Sequence, residues 1–243
     1  ETKYTHFWLD RSLPEDQAIA KFVAEVRPFL QWLKEQPEYS ADIETTGFDW
    51  YEDDMLCCGF SWRPGRAACV EWHPAIYQDF ADVMESPALK IMQNGRFDLK
   101  FLTYKYGFNV VNYMFDTMIA AKHCDENGPV GLGELVNRYL GIPSYKEEIW
   151  SPEPGPDGKK LRINTHEALR NPTNVESFST YTCKDADFTL RLKHKLKPIL
   201  INPFGDEVPP PIERTPWNVF TNISMPLNIV LSRSEERRVG KEC

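Results

Sequence analysis

Three closely linked strand-like runs, followed by strand–helix alternation, constrain this chain more than any other feature. "YSADIE" (39–44), "MLCCGFSW" (55–62) and "RAACVEW" (66–72) have strand character, and "RPG" supplies a turn between the last two. "ALKIMQ" (88–93) then feeds directly into a helical pattern, "RFDLKFLTYKYG", and "VVNYMF" is a fifth, shorter strand. This order predicts an α/β fold: a central mixed five-stranded sheet flanked by helices, with the strand at 39–44 in its middle. Ligands in such sheets collect near strand ends. A chain of 243 residues with 42% hydrophobic content can fill one such core.

The remaining elements fall around this centre. Residues 1–37 read as an N-terminal helical extension, with Ser12 as cap, Pro14 and Glu15 in the first turn, and Ile19, Phe22, Val26, Leu30 and Leu33 at helical spacing. Further helices are predicted at 75–85, 116–124 and 131–140. Residues 143–172 carry Pro143, Pro152, Pro154, Pro156 and Pro172, and read as an insertion or long loop without regular structure. A strong helix follows from Val175 towards Pro198, which closes a domain at 38–204. Residues 205–232 begin as a Pro-rich linker. "RSEERRVGKEC" (233–243) continues no earlier pattern, and one codon choice for it spells a common sequencing-library adapter; it is read as an artefact and set aside.

Composition excludes several functions. No apolar run approaches the roughly 20 residues of a membrane span, and the N-terminus lacks a signal-peptide layout. The six cysteines form no C-x-x-C pair, so reduced, buried thiols are expected. His123-Cys124 has no partner at zinc-ligand spacing. A net charge of −8 argues against a protein that coats a duplex, but not against a nucleic-acid enzyme. Trp50, Tyr51, Trp62 and Trp72 sit in strand patterns and read as core.

The candidate chemistry is carried by acids. Strand side chains alternate, so Asp42 and Glu44 share one face while Ile43 points to the other. Two like charges so close repel unless a cation lies between them, which suits a hard divalent metal; a strand end where both acids face water is the alternative. Asp98 falls in the first turn after a strand, where a helix dipole alone also favours an acid. Tyr181 and Asp185 are four apart on one helix face; Asp187 is also near, but the spacing from the tyrosine points to Asp185, and a plain amphipathic helix with surface acids is the alternative, preferred for this element taken alone.

Taken in order, Asp-x-Glu on a strand, Asn-x-x-Phe-Asp at a strand–helix junction and Tyr-x-x-x-Asp on a late helix resemble the tyrosine-bearing branch of the DEDD 3′–5′ exonucleases. The chain looks most like the proofreading exonuclease domain of family A DNA polymerases, and "FDTMIAAKHC" and "GLGELVNRYLGI" match helices of that family. The resemblance implies a ribonuclease H-like fold and two divalent cations, Mg2+ or Mn2+. It implies that Asp42, Glu44, Asp98 and Asp185 hold them, and that Tyr181 orients the attacking water. A phenol with a pKa of about 10 is a poor general base at neutral pH. It further implies that Thr45, Phe48 and Asn94 contact the substrate, a single-stranded DNA 3′ end that loses nucleoside 5′-monophosphates.

The same acids and tyrosine occur in ribonuclease D-like RNA exonucleases, so the sugar is open at this point. A catalytically silent nucleic-acid-binding fold is a third reading, against which all four acids and Tyr181 stand. "VFTNISMPLNIVLSR" resembles the start of a family A polymerase domain, although Ser224 stands where an acidic residue is usual. The implied partner is therefore a polymerase domain in a longer chain. The implied location is the cytoplasm of a bacterium or of a phage's host, and the Pro-rich insertion points to a phage-like branch.

Overall fold

The computed structural model describes residues 1–143, 145, 150–154, 160–162, 172–205 and 209–239. Its centre is a six-stranded mixed sheet. The strands are β1 (Lys3–Phe7), β2 (Glu38–Thr45), β3 (Met55–Arg63), β4 (Arg66–Glu71), β5 (Leu89–Met92) and β6 (Tyr113–Asp116), in the order β1-β4-β3-β2-β5-β6. The α/β class, the hairpins β2–β3–β4 and the inner position of β2 follow the sequence. The strand count does not: β1 adds a sixth strand, parallel to β4. The N-terminal region is thus part of the sheet. "KYTHF" has only five residues and no strict alternation of buried and exposed positions, so it gives no period-2 signal.

Alternation along β2 sorts the two faces. Tyr39, Ala41 and Ile43 are buried towards α1 (Glu15–Leu33) and α2 (Tyr77–Glu85), and the Tyr39 hydroxyl donates to the Val83 carbonyl at 2.7 Å. Helix α1 buries Phe22, Val26, Leu30 and Leu33 on one stripe. It starts after Pro14 rather than under a Ser12 cap, because the Ser12 hydroxyl donates to Asp10 instead.

The opposite face receives the 30-residue helix α6 (Pro172–Ile201). Ser40 donates its hydroxyl to the Ala186 carbonyl at 2.6 Å. Gly59 lies opposite Asp42 on β3, and a Cβ there would stand 2.7 Å from the Thr182 carbonyl oxygen, so only glycine lets the helix come this close. Further along α6, Asp187 is fully buried and accepts from the Tyr4 hydroxyl at 3.0 Å and the Gly65 N–H at 2.7 Å, tying β1 and the RPG turn to the helix.

Beyond β5 a short helix α3 (Arg96–Leu99) widens into a π-helical stretch, Lys100–Lys105, with Phe101 and Leu102 in the core. α4 (Thr117–Cys124) and α5 (Leu132–Leu135) follow, the latter extended by a π-helical Val136–Leu140 that ends on Gly141 at φ 67.

One further expectation is corrected. The Pro-rich region is not wholly irregular: β7 (Trp150–Pro154) and β8 (Lys160–Arg162) pair as an antiparallel hairpin, while the rest of 146–171 lies outside the described residues. The segment from 216 onward, read from the sequence as the start of a further domain, is helical. α7 (Pro216–Val219), a π-helical Phe220–Ser224 and α8 (Met225–Val239) pack on the domain, with Phe220 and Met225 buried and the Phe220 ring tilted against that of Phe115, ring centres 4.9 Å apart. The backbone of α8 runs on through 233–239, the stretch set aside above.

Candidate active site

The acids of the DIE triplet end up where β2 meets α6. A carboxylate oxygen from each of Asp42, Glu44 and Asp185 lies within 4.8 Å of the others. Glu44 and Asp185 are buried and Asp42 is half-buried. The convergence has a simple origin: Asp42 and Glu44 lie on the α6 face of β2, and the close pass over Gly59 brings α6 within reach. Three carboxylates at this separation repel one another, and oxygen donors so grouped fit a hard divalent cation. Asp187, the other acid of this stretch, anchors β1 instead, and the acid of α6 that meets Asp42 and Glu44 is Asp185.

Asp98 lies outside that group of three. It is buried on α3 and accepts the Ile43 N–H at 3.0 Å, the amide between the two acids of β2. Burial pushes its carboxyl up to about 7; the nearby charge of Asp116 adds to the rise, and the Ile43 bond opposes it. A cation beside it would favour the charged form.

The turn that carries Asp98 is fixed by a residue whose role the sequence did not single out. Asp116, fully buried, accepts from the amides of Asn94 at 3.2 Å and Gly95 at 2.9 Å, and from Met118 at 2.8 Å and Ile119 at 3.2 Å as the cap of α4. The Tyr113 hydroxyl donates to the same carboxylate at 2.5 Å and receives the Asn228 side-chain amide from α8 at 3.2 Å. One buried acid thus sets the β5–α3 turn, where Asn94 takes a left-handed φ of 54, a conformation asparagine tolerates. An acid beginning a helical pattern ("FDT") reads simply as a cap; nothing in one sequence shows that it also pins a turn twenty residues earlier.

Tyr181 is buried on α6 and hydrogen-bonds Asp185 one turn on. Burial first, then the charges of Asp185, Glu44 and Asp42, push its phenol far above the usual value, so it is protonated at neutral pH. Tyr145, which the sequence reading did not select, donates its hydroxyl to Asp185 Oδ1 at 2.5 Å.

The three expected substrate contacts have unlike settings. Thr45 is buried, with its hydroxyl on the Gly47 carbonyl at 2.6 Å. Asn94 is exposed at its turn. Phe48 is 84% exposed, edge-on to Phe97 with ring centres 6.2 Å apart, so core packing does not explain it. Tyr51 is also exposed, contrary to the reading that put it in the core, because it lies on the β2–β3 loop stacked on Trp50.

Other candidates resolve as structural. His123 bonds the Ser224 hydroxyl at 2.8 Å. Cys57, Cys58, Cys69 and Cys183 are buried free thiols; burial raises Cys57 and Cys58 well above the usual range, which leaves them inert. Cys243 lies outside the described residues. Among the described residues no helix is long and apolar enough to cross a membrane.

Comparison with known proteins agrees with this geometry. The profile of a 3′–5′ exonuclease family of A-type DNA polymerases matches residues 19–201. DNA polymerase I of Borreliella burgdorferi is 30% identical over 177 residues, which cover 69% of this chain and 18% of that polymerase. Among solved structures, the catalytic core of RRP6 from Trypanosoma brucei superposes with a TM-score of 0.59 at 19% identity, covering 83% of this chain and 48% of the other. Escherichia coli RNase D, an exoribonuclease, gives 0.55 at 17% identity, covering 81% and 44%. These two likenesses bear on the fold, which is that of the ribonuclease H-like exonucleases. With three acids gathered where β2 meets α6 and the family profile spanning most of the described domain, the chain belongs to the 3′–5′ exonuclease family of A-type DNA polymerases.

Proposed function

We propose that this chain is a metal-dependent 3′–5′ exodeoxyribonuclease that releases nucleoside 5′-monophosphates from single-stranded DNA 3′ ends, as the proofreading module of a longer DNA polymerase. The convergence of Asp42, Glu44 and Asp185 within 4.8 Å carries this reading. These three would hold one divalent cation, and Asp42 with Asp98 a second, Mg2+ or Mn2+ in each case. Bound there, the cations supply Lewis-acid activation and neutralise charge on the phosphate. The chain's own groups do the rest. Tyr181 remains protonated and orients the attacking water through its hydroxyl. Phe48, exposed beside Phe97, offers an aromatic face on which a terminal base can stack. Asn94 presents its amide from the turn fixed by Asp116, and Thr45 shapes the strand end below. The likeness to a DNA polymerase I favours DNA over RNA as substrate.

The test is digestion of matched 3′-terminal DNA and RNA single strands with Mg2+, with Mn2+ and with chelator, beside an Asp42→Ala control. Stepwise, metal-dependent shortening of DNA, lost in the variant, is the expected result. Preferential trimming of RNA would assign the chain to RNA ends instead. A folded protein that cleaves neither strand would remove the catalytic reading and leave a binding role.

A further inference from the structure

Resting on the reading of Asp185 as a metal ligand, we propose that Tyr145 is a positioning residue of the site, holding the Asp185 carboxylate in its metal-binding orientation through a hydroxyl donated from outside α6. Its oxygen stands 2.5 Å from Asp185 Oδ1, across 40 residues of sequence.

The argument begins with a weakness of aspartate as a ligand. The terminal torsion of an aspartate is broad and roughly two-fold, so the backbone of α6 fixes where the carboxylate is but not how it is turned. Tyr181 is on the same helix and constrains it only from one turn below. Tyr145 constrains it from a different element. Its ring cannot wander: the residue is 6% exposed, its ring meets Phe188 edge-on at 4.9 Å, and it lies 6.1 Å from the ring of Tyr181. Phe188 belongs to α6, three residues past Asp185, so the helix packs the ring that in turn holds its own acid.

The chemistry is compatible with a cation. An ionised carboxylate has about four lone-pair sites. One phenolic hydrogen on Oδ1 uses one of them, so this bond and a cation at the same carboxylate do not exclude each other. At neutral pH a phenol can only donate here, since its usual pKa is about 10. Hydrogen-bond partners of metal ligands typically contribute 10–100-fold to metal affinity. Phenylalanine would keep every ring contact and lose the hydroxyl alone, so packing and positioning can be separated.

The experiment is calorimetric titration of Mn2+ into the whole chain without nucleic acid, comparing wild type with Tyr145→Phe. The expected result is a dissociation constant raised about 10–100-fold, an unchanged melting temperature in chelator, and a cleavage rate restored by excess Mn2+. Equal Mn2+ affinity in the two proteins would overturn the role of Tyr145 while leaving the metal site standing. A wild type that binds no Mn2+ would overturn both readings. Should the variant fail to fold, 3-fluorotyrosine at position 145 gives the second measurement. Its 19F resonance should move as Mg2+ is added to the folded protein, with the midpoint of the binding heat. A resonance that stays fixed through saturation would overturn the proposal.

Discussion

The interface between β2 and α6 carries acids at both ends, and the two ends treat them in opposite ways. At the start of β2, Glu38 meets Lys193 at 2.5 Å and His194 at 3.0 Å. Nearby at the start of β5, the fully buried Lys90 donates to the carbonyls of Ser86 at 2.8 Å and Ala88 at 3.1 Å. At the far end of β2, Asp42 and Glu44 meet Asp185, and carboxylates face carboxylates and phenols. The same strand and helix therefore build a charge-matched end, where opposite charges pair, and a like-charged end, where three acids gather as a proposed cation site would require. Functional sites are where such departures from charge pairing are expected.

The comparison can be broken from either end. The largest effect belongs to the site. Asp42→Asn or Asp185→Asn should reduce metal-dependent cleavage by more than the roughly 10–100-fold expected for a ligand's hydrogen-bond partner. In chelator Asp42→Asn should melt no lower than wild type, because it relieves like-charge repulsion. A large drop in melting temperature would mean that these acids stabilise the fold after all.

Next in size is Gly59→Ala. The added Cβ would press on the Thr182 carbonyl at 2.7 Å and lift α6 from the sheet. Overpacking of this kind costs about 1–3 kcal/mol. The gap between Asp185 and Asp42 should widen as well, so denaturant unfolding and Mn2+ titration should both report a loss. Loss of stability with Mn2+ affinity intact would show that the site tolerates a looser helix.

Beside the matched end but on the other face of the sheet, Lys90 lies over the Tyr39 ring, and pH is the sharper probe of it. Burial lowers the Lys90 ammonium from its usual 10.5 to about 8. Between those values the unfolded chain holds more protons than the folded one, so stability should rise with pH across that window. Lys90→Met should flatten the rise in a pH series of melting temperatures; an unchanged slope would assign it to another group.

The smallest effect is Glu38→Gln. Burial raises the Glu38 carboxyl, but the bonds from Lys193 and His194 prevail and hold it below its usual range. Its contribution is therefore present above the ordinary carboxylate range and disappears as pH falls through the depressed value. For a part-exposed pair it should be under about 1 kcal/mol. Cleavage by Glu38→Gln should match wild type, the mirror image of the Asp42 result.

How much of this was legible beforehand differs along the chain for physical reasons. The inner strands, α1 and α6 announce themselves through periodicity, because each buries one face. Strand alternation puts Asp42 and Glu44 on one face and helix spacing puts Tyr181 and Asp185 on another, but only the resemblance of the three ordered motifs to a known family joined the two pairs, since no local spacing relates β2 to α6. β1 was not legible, since a short edge strand needs no strict alternation. Tyr145 and Asp116 were not, since each acts through a contact across 20 or more residues that no local pattern encodes. The burial of Phe220 and Met225 against the domain was not, since a contact between Phe220 and Phe115 leaves no local pattern.

The wide sequence separation within the site has a consequence for how it comes into being. Ser40 and Ala186, at the heart of the β2–α6 contact, are 146 residues apart, and Tyr4 reaches Asp187 across 183. Such contacts close late, because long loops must be drawn together before the contacts reward them. At about 5–20 residues per second of synthesis, β2 would wait on the order of ten seconds for α6. A growing chain therefore carries Asp42 and Glu44 well before Asp185 can join them, and the group of three acids is assembled only once nearly the whole domain exists.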